Sequence, residues 1–413
     1  MRYVLQLKSY LWNTMDALIN KFRRLIANDR PLFVRGLSDK INWNARGISI
    51  EGARGTGKST MMLQYIHKNL PIDQTLYTSL DDLYFRQNNL VEVAERFYGL
   101  GGRFLFLDEV HKYDDWQTAV KNIYDFLPEM KVVISGSSIL ALQRSRVDLS
   151  RRILNYHLPE LSFREYISLK HAINVPIFSF ADVLSHHSEI ATTLQKLIPS
   201  PLKSLNDYFN YGAYPFFLEG ESDYFMRINQ LINVIIDYDL PEAKAIEVAT
   251  LAKLKRLLYV LSTSVPFTPN VTKLAEQVDT SRIRLLEMLN ILEQAQLIHN
   301  LRSSSQGTSL MNKPEKIYLH NTNLIAALAD GKPEIGNVRE TFFLSQLQNS
   351  GAVVTYPKAG GDFVINGKYV MEIGGKNKSA KQIQGHENAF IVADDIEYGF
   401  GNKIPLWLFG FLY

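Results

Sequence analysis

Eight consecutive residues, Gly52, Ala53, Arg54, Gly55, Thr56, Gly57, Lys58 and Ser59, follow the G-x-x-x-x-G-K-[ST] spacing of a loop that cradles the phosphates of a nucleotide. Glycines at its ends let backbone N–H groups turn inward onto a β-phosphate, and the helix that follows adds a favourable dipole. Lys58 is the ammonium for the β- and γ-phosphates. Ser59 is the hydroxyl for Mg²⁺, with Thr60 beside it as a hydrogen-bonding neighbour. The second component is Phe104-Leu-Phe-Leu-Asp108-Glu109. Four apolar residues make a buried strand, and two carboxylates stand where it emerges. Asp108 would support the metal, and Glu109 would orient and polarise the attacking water. A third apolar run, Val132 to Ile134, leads into Ser135, Gly136, Ser137 and Ser138. Ser137 or Ser138, on a strand between the other two, would sense the γ-phosphate; the same serines would equally serve a turn and helix cap. Arg144, Arg146, Arg151 and Arg152 follow, as fingers toward a neighbouring subunit's phosphates or as solvated helix-end charges. Arg54 either touches ligand or faces solvent, and His111 reads as a supporting residue rather than a catalyst.

These groups need a sheet that delivers both loops to one edge, and the pattern around them supplies it. Short apolar runs at 48–51, 76–80, 104–108, 132–135 and 153–158 recur at roughly 25–30-residue intervals with helical spacing between them. Unbroken runs such as Phe104–Leu107 are what strands covered on both faces of a parallel sheet require. The fold class expected is therefore α/β, a parallel sheet carrying a phosphate loop. Residues 1–34 read as an amphipathic helix and connector and 35–160 as the nucleotide-binding core. Residues 161–262, where helical spacing dominates, read as a helical lid or linker.

From 263 to 330 the pattern changes again. Thr272–Val278 and Ser281–Gln294 read as two helices about a tight turn, and Leu297–Leu301 with Lys316–Leu319 as a β pair, a winged helix-turn-helix pattern. From Val271 to Arg302 its charges balance: Lys273, Arg282, Arg284 and Arg302 against Glu276, Asp279, Glu287 and Glu293. That is a poor phosphate footprint, although Arg282 and Arg284 open the second helix, where DNA contacts would fall. The alternative is a connector or protein-contact element. Residues 331–413 read as a helix followed by short strands.

A chain of 413 residues divides into two or three domains. Its 46% hydrophobic and 21% charged residues exclude a disordered or fibrous protein. A net charge of +3 permits a local nucleic-acid patch without arguing for one. The absence of cysteine excludes disulfides, thiolate zinc sites and a cysteine nucleophile, and points to an intracellular protein. The first 25 residues lack the unbroken apolar core of a signal peptide, and no stretch reaches the ~18 apolar residues of a membrane helix. A cytoplasmic location without a membrane partner is expected.

Taken together, GARGTGKST, FLFLDEVHKYDDW, ISGSSIL and SRRILNYHLPELSFREY resemble a prokaryotic family of AAA-type ATPases, and the similarity runs over essentially the whole chain. The resemblance implies ATP and Mg²⁺ as ligands, ATP hydrolysis, and a role related to DNA or defence. It singles out Arg152, the arginine before the Leu-Ser-Phe-x-Glu segment, as the finger, which would make self-association functional. Tyr211-Gly-Ala-Tyr-Pro215 looks like the family's aromatic-Gly-x-x-Pro turn. The family's C-terminal region looks like a winged helix joined to a restriction-endonuclease-like domain. In that comparison Glu340 lies on a helix, Asp362 precedes a strand, and Glu372 begins Glu-Ile-Gly-Gly-Lys376. Three carboxylates and a lysine could bind Mg²⁺ and position water. The residue two after Glu372 is Gly374, however, and Lys376 lies ~6.6 Å further along a strand. A retained fold serving as a binding module is the favoured reading. Two functions stay open: an ATPase acting with DNA, and a slow nucleotide-gated switch or scaffold that binds a protein and cleaves nothing.

Overall fold

The computed structural model describes residues 2–27, 33–136, 149–243, 246–263, 270–303, 313–329 and 333–413. Contacts divide the chain once, into Met1–Pro159 and Glu160–Tyr413.

The first unit is an α/β layer structure. A long helix α1 (Arg2–Ala27) precedes β1 (Gly47–Glu51), α2 (Lys58–Asn69), β2 (Thr75–Ser79), α3 (Leu90–Gly99), β3 (Phe104–Asp108), α4 (Trp116–Phe126), β4 (Lys131–Gly136) and β5 (Leu154–His157). The five strands form one all-parallel sheet in the order β2-β3-β4-β1-β5. Each lies on one of the five apolar runs. Strands β1, β3 and β4 are buried along almost their whole length, as covered parallel strands must be. Met15, Leu18, Phe22 and Ile26 of α1 are buried in the same core as Ile50, Leu105 and Val133. From Met15 onward the helix thus packs its apolar positions into the core of the sheet.

Strand order decides what meets what. Strand β4 lies between β1 and β3, so the residues ending β1, β4 and β3 emerge side by side at the carboxyl edge of the sheet. That edge is where open α/β sheets hold their ligands.

The second unit opens with helices α5 (Phe163–His171), α6 (Phe180–Leu197), α7 (Pro201–Tyr211), α8 (Tyr224–Val234), α9 (Leu240–Ala243) and α10 (Val248–Ser262). Helix α5 starts on a capping box, Ser162 accepting from the Glu165 N–H while Glu165 reaches back to the Ser162 N–H. Helices α11 (Val271–Gln277) and α12 (Arg282–Gln294) follow, then the antiparallel pair β6 (Ile298–Leu301) and β7 (Lys316–Leu319) and helix α13 (Thr322–Leu328). Helix α14 (Ile335–Asn349) buries residues on all sides, including Phe342, Phe343, Leu344 and Leu347. It packs with a mixed sheet of β8 (Val354–Thr355), β9 (Phe363–Ile365), β10 (Tyr369–Gly374), β11 (Ala389–Ala393) and β12 (Lys403–Pro405), in the order β12-β11-β10-β9-β8. Strands β10, β11 and β12 run parallel; β8 and β9 are antiparallel to their neighbours. Among the described residues, no helix is long and apolar enough to cross a membrane.

Candidate functional site

The phosphate loop fills the gap between β1 and α2, and its glycines have distinct reasons to be there. A Cβ on Gly52 would stand 2.3 Å from the carbonyl oxygen of Leu158. That carbonyl cannot swing away cheaply, because the Leu158 N–H donates to the Glu51 carbonyl at 2.7 Å. Gly57 takes φ 93° as it opens α2, a left-handed turn that glycine enters without strain. We therefore expect Gly52→Ala to destabilise this unit by about 1–3 kcal/mol and to weaken ATP binding, whereas an alanine on the exposed face of α2 does neither. Thermal melts with and without ATP measure both effects.

Polar groups hold the loop open. The buried guanidinium of Arg35 donates to the Thr56 carbonyl (2.5 Å) and to the Pro159 carbonyl (2.7 Å). The Thr56 hydroxyl donates to the Ala53 carbonyl at 2.9 Å. The Lys58 ammonium, also buried, donates to the carbonyls of Gly52 (2.9 Å) and Ala53 (2.8 Å). A buried cation among neutral carbonyls is strongly favoured by an anion, which is the loop's chemistry. Arg54 and Gly55 are half-buried on the loop's outer turn, and Thr60 is exposed on α2.

Four donors converge on Asp108, itself 3% exposed. Ser59 Oγ and the Tyr77 hydroxyl each donate to Oδ2 at 2.5 Å. Ser135 Oγ and the backbone N–H of Glu109 donate to Oδ1, the latter at 3.0 Å. Burial first, and then the charge of Asp108, raise the Tyr77 phenol far above its ordinary range, so it stays a donor. Ser59 and Asp108 together present hard oxygen ligands to one point at the mouth of the loop. That donor set fits Mg²⁺.

Glu109 adopts φ 51° immediately after the strand. This left-handed turn, uncommon for a residue with a side chain, breaks the strand's alternation and sends the two carboxylates different ways. His111 Nε2 lies 3.5 Å from Glu109 Oε2. Burial, helped by the positive charges of Lys112, Lys58 and Arg54, pulls the His111 pKa down to about 3. At neutral pH the ring facing Glu109 is therefore uncharged.

The loop, Asp108 and Glu109 thus meet at one edge. Arg152 does not join them. Its guanidinium makes two hydrogen bonds with Asp125, at 2.8 and 2.9 Å. Its carbonyl lies against Gly47, at the opposite end of β1 and about 16 Å from the loop. Ser137, Ser138, Arg144 and Arg146 lie outside the described residues. Sequence reasoning missed Arg35, Tyr77 and Ser135. Only Ser135 left a signal, as a hydroxyl ending an apolar strand.

In the second unit the three C-terminal carboxylates gather, but not around Lys376. The Lys316 ammonium, on β7, donates to Glu340 Oε2 (3.1 Å) and to Asp362 Oδ1 (3.4 Å). The Tyr318 hydroxyl also donates to Glu340 Oε2, at 2.6 Å, and the Ile373 N–H donates to Asp362 Oδ2 at 2.8 Å. Glu372, fully buried, pairs with the Lys378 ammonium at 2.5 Å. Burial and then the charge of Asp362 raise the Glu340 pKa. Burial lowers that of Lys316, but Glu340 and Asp362 outweigh it and the net shift is upward, so the ammonium persists. Strand β10 ends at Gly374, so the alternation that would have put Lys376 on the face of Glu372 stops short of it. Lys376 is exposed, and the aliphatic stem of Lys378 occupies the space above Gly374, within 2.6–2.8 Å of where a Cβ would stand.

Residues 44–167 match the family model of an AAA domain. With the parallel sheet and the loop geometry above, this makes residues 44–167 a P-loop domain of the AAA type, the kind that binds ATP. Residues 202–334 match a domain of unknown function, DUF8612. Two uncharacterized proteins of Methanocaldococcus jannaschii are similar over most of their length. MJ1637 is 27% identical over 365 residues, 81% of this chain and 77% of its own. MJ1544 is 23% identical over 319 residues, 74% of this chain and 67% of its own. A solved structure of katanin aligns over 60% of this chain and 82% of its own at 15% identity, with a TM-score of 0.25, too slight a likeness to bear on fold or function.

Proposed function

We propose that this protein is a Mg²⁺-dependent ATPase whose nucleotide state controls its C-terminal region, and that it acts in the cytoplasm. The observation that carries the reading is the single point at which Ser59 meets Asp108, with Glu109 next along the chain and the buried Lys58 in the loop. Lys58 and the loop N–H groups hold the β- and γ-phosphates. Glu109 orients a water toward the γ-phosphorus and takes its proton as the new P–O bond forms and the bond to ADP breaks. Ser59 and Asp108 would hold Mg²⁺, which would supply charge neutralisation for the same phosphates. The Asp108-Glu109 pair and the AAA-domain match support ATP rather than GTP as the nucleotide. Arg152 is the finger this reading assigns to a neighbouring copy, which requires it to leave Asp125.

DNA is the partner we infer, through residues 263–330 as a winged helix. In support, Arg282, Ile283 and Arg284 are all exposed on the first turn of α12. The nuclease-like domain at 331–413 is, on this reading, a fold without cleavage. The charges of Glu340, Asp362 and Glu372 are met by Lys316 and Lys378, and Lys376 stands apart. A second reading, a slow nucleotide-gated switch or scaffold for a protein partner, is favoured by Arg302. That residue would face phosphate in a wing, but it donates to Glu293 at 3.3 and 3.0 Å.

Steady-state ATP hydrolysis with and without single- and double-stranded DNA separates the two. We expect DNA to raise turnover, the stimulation to fade as salt increases, and the DNA to be recovered intact. Turnover indifferent to DNA favours the switch, and cleaved DNA overturns the assignment of the C-terminal domain.

A further inference from the structure

The reading above uses Asp108, Ser59, Lys58 and Glu109 and gives no part to the buried Tyr77 hydroxyl. It stands on β2, whereas the loop and the two carboxylates come from β1 and β3. In the register of β2 with β3, Tyr77 lies opposite Phe106 and Ser79 opposite Asp108. Alternate residues share a face, so Tyr77 points to the side of the sheet that Asp108 occupies, one pleat or ~6.6 Å further back. A serine or threonine at that position would fall short of the carboxylate. A phenol spans the gap, and it donates to Asp108 Oδ2, the oxygen that also accepts from Ser59.

Across the sheet Ser135, on β4, donates to Oδ1. Oδ2 accepts from the Ser59 and Tyr77 hydroxyls, and Oδ1 from the Ser135 hydroxyl and the Glu109 N–H, so each oxygen is held by a donor from a flanking strand. The flanking strands thereby fix the rotation of the carboxylate about its Cβ–Cγ bond. With Tyr77 removed, Oδ2 keeps only Ser59, whose own hydroxyl rotates freely. We propose that Tyr77 is a positioning residue for the Mg²⁺ site, aiming Oδ2 of Asp108 so that carboxylate and Ser59 face one point, with Ser135 as its counterpart on the other oxygen. The proposal rests on the nucleotide-site reading, and it goes beyond it by separating metal affinity from nucleotide affinity.

Tyr77→Phe keeps the ring, which is 6% exposed, and deletes only the hydroxyl. The test is the binding of a fluorescent ATP analogue in EDTA, followed by Mn²⁺ titration of the full-length nucleotide complex monitored by electron paramagnetic resonance. We expect Tyr77→Phe to bind nucleotide in EDTA within about twofold of wild type. Its Mn²⁺ affinity should fall by about tenfold or more, the size typical of groups that orient a metal ligand. Ser135→Ala, read in the same way, should shift Mn²⁺ affinity in the same direction. Wild-type Mn²⁺ affinity in Tyr77→Phe overturns the proposal, as does equal loss of nucleotide binding with and without metal, which would mark the phenol as structural. A wild-type protein that binds no nucleotide sinks the underlying reading and the role of Tyr77 with it. A wild type that binds normally beside an unaltered Tyr77→Phe sinks only the role.

Discussion

Glu109→Gln should bind ATP as the wild type does and hydrolyse it at least ~100-fold more slowly, about 2.7 kcal/mol of lost transition-state stabilisation. The substitution is nearly isosteric and isolates the charge. Both side chains tolerate the left-handed backbone at this position (φ 51°) to a similar extent. The Glu109 N–H that donates to Asp108 is unaffected by a change of side chain, so the Asp108 carboxylate keeps its donors. The neutral His111 ring can donate to an amide oxygen as readily as to a carboxylate. What disappears is the base that takes the water's proton. Fluorescent-nucleotide binding together with single-turnover hydrolysis reads both halves. Equal turnover in the two proteins would remove Glu109 from the chemistry, and a parallel loss of binding would mean that its charge holds the loop rather than the water.

Lys58→Ala should abolish measurable ATP binding, a loss of at least ~100-fold in affinity, while the protein stays folded. Lys58 is 5% exposed and its ammonium lies between two carbonyls of its own loop, so its field acts in a medium far less polarisable than water. Alanine removes that field and also leaves the Gly52 and Ala53 carbonyls lining the pocket with fewer donors. Both changes act against the same phosphates. Helix α2 loses nothing intrinsic, since alanine is the best helix former. Calorimetric titration with ATP and a thermal melt distinguish a lost charge from a lost fold. Affinity within tenfold of wild type would mean that backbone N–H groups and the helix dipole carry the binding and that Lys58 serves only catalysis.

Much of this was legible in the chain because it is local. A phosphate loop is eight consecutive residues whose backbone conformations and side chains act together, so spacing alone exposes it. The Asp-Glu pair is legible for the same reason: an apolar strand must end where its carboxylates begin. The five strands of the first unit lie on five apolar runs because a strand buried on both faces has to be written in consecutive apolar residues.

The remainder depends on which strand lies beside which, and one chain carries no local mark of that. Tyr77 and Ser135 sit 31 and 27 residues from Asp108 and reach it only because β2 and β4 flank β3. Arg35 is tied to the loop and to Pro159, 124 residues on, by a guanidinium that looks like any other in the sequence. At the C-terminal carboxylates the alternation rule was sound, but it holds only while a strand lasts, and β10 stops at Gly374. The lysines that meet those carboxylates are Lys378, whose stem occupies the room a glycine leaves, and Lys316, which comes from a different strand pair altogether. The phosphate loop and the Asp-Glu pair could each be read from the chain alone, because each is a run of adjacent residues. How those groups are aimed, and which cations neutralise the second cluster, follow instead from strand order and from where strands end, because both depend on side chains far apart in the chain.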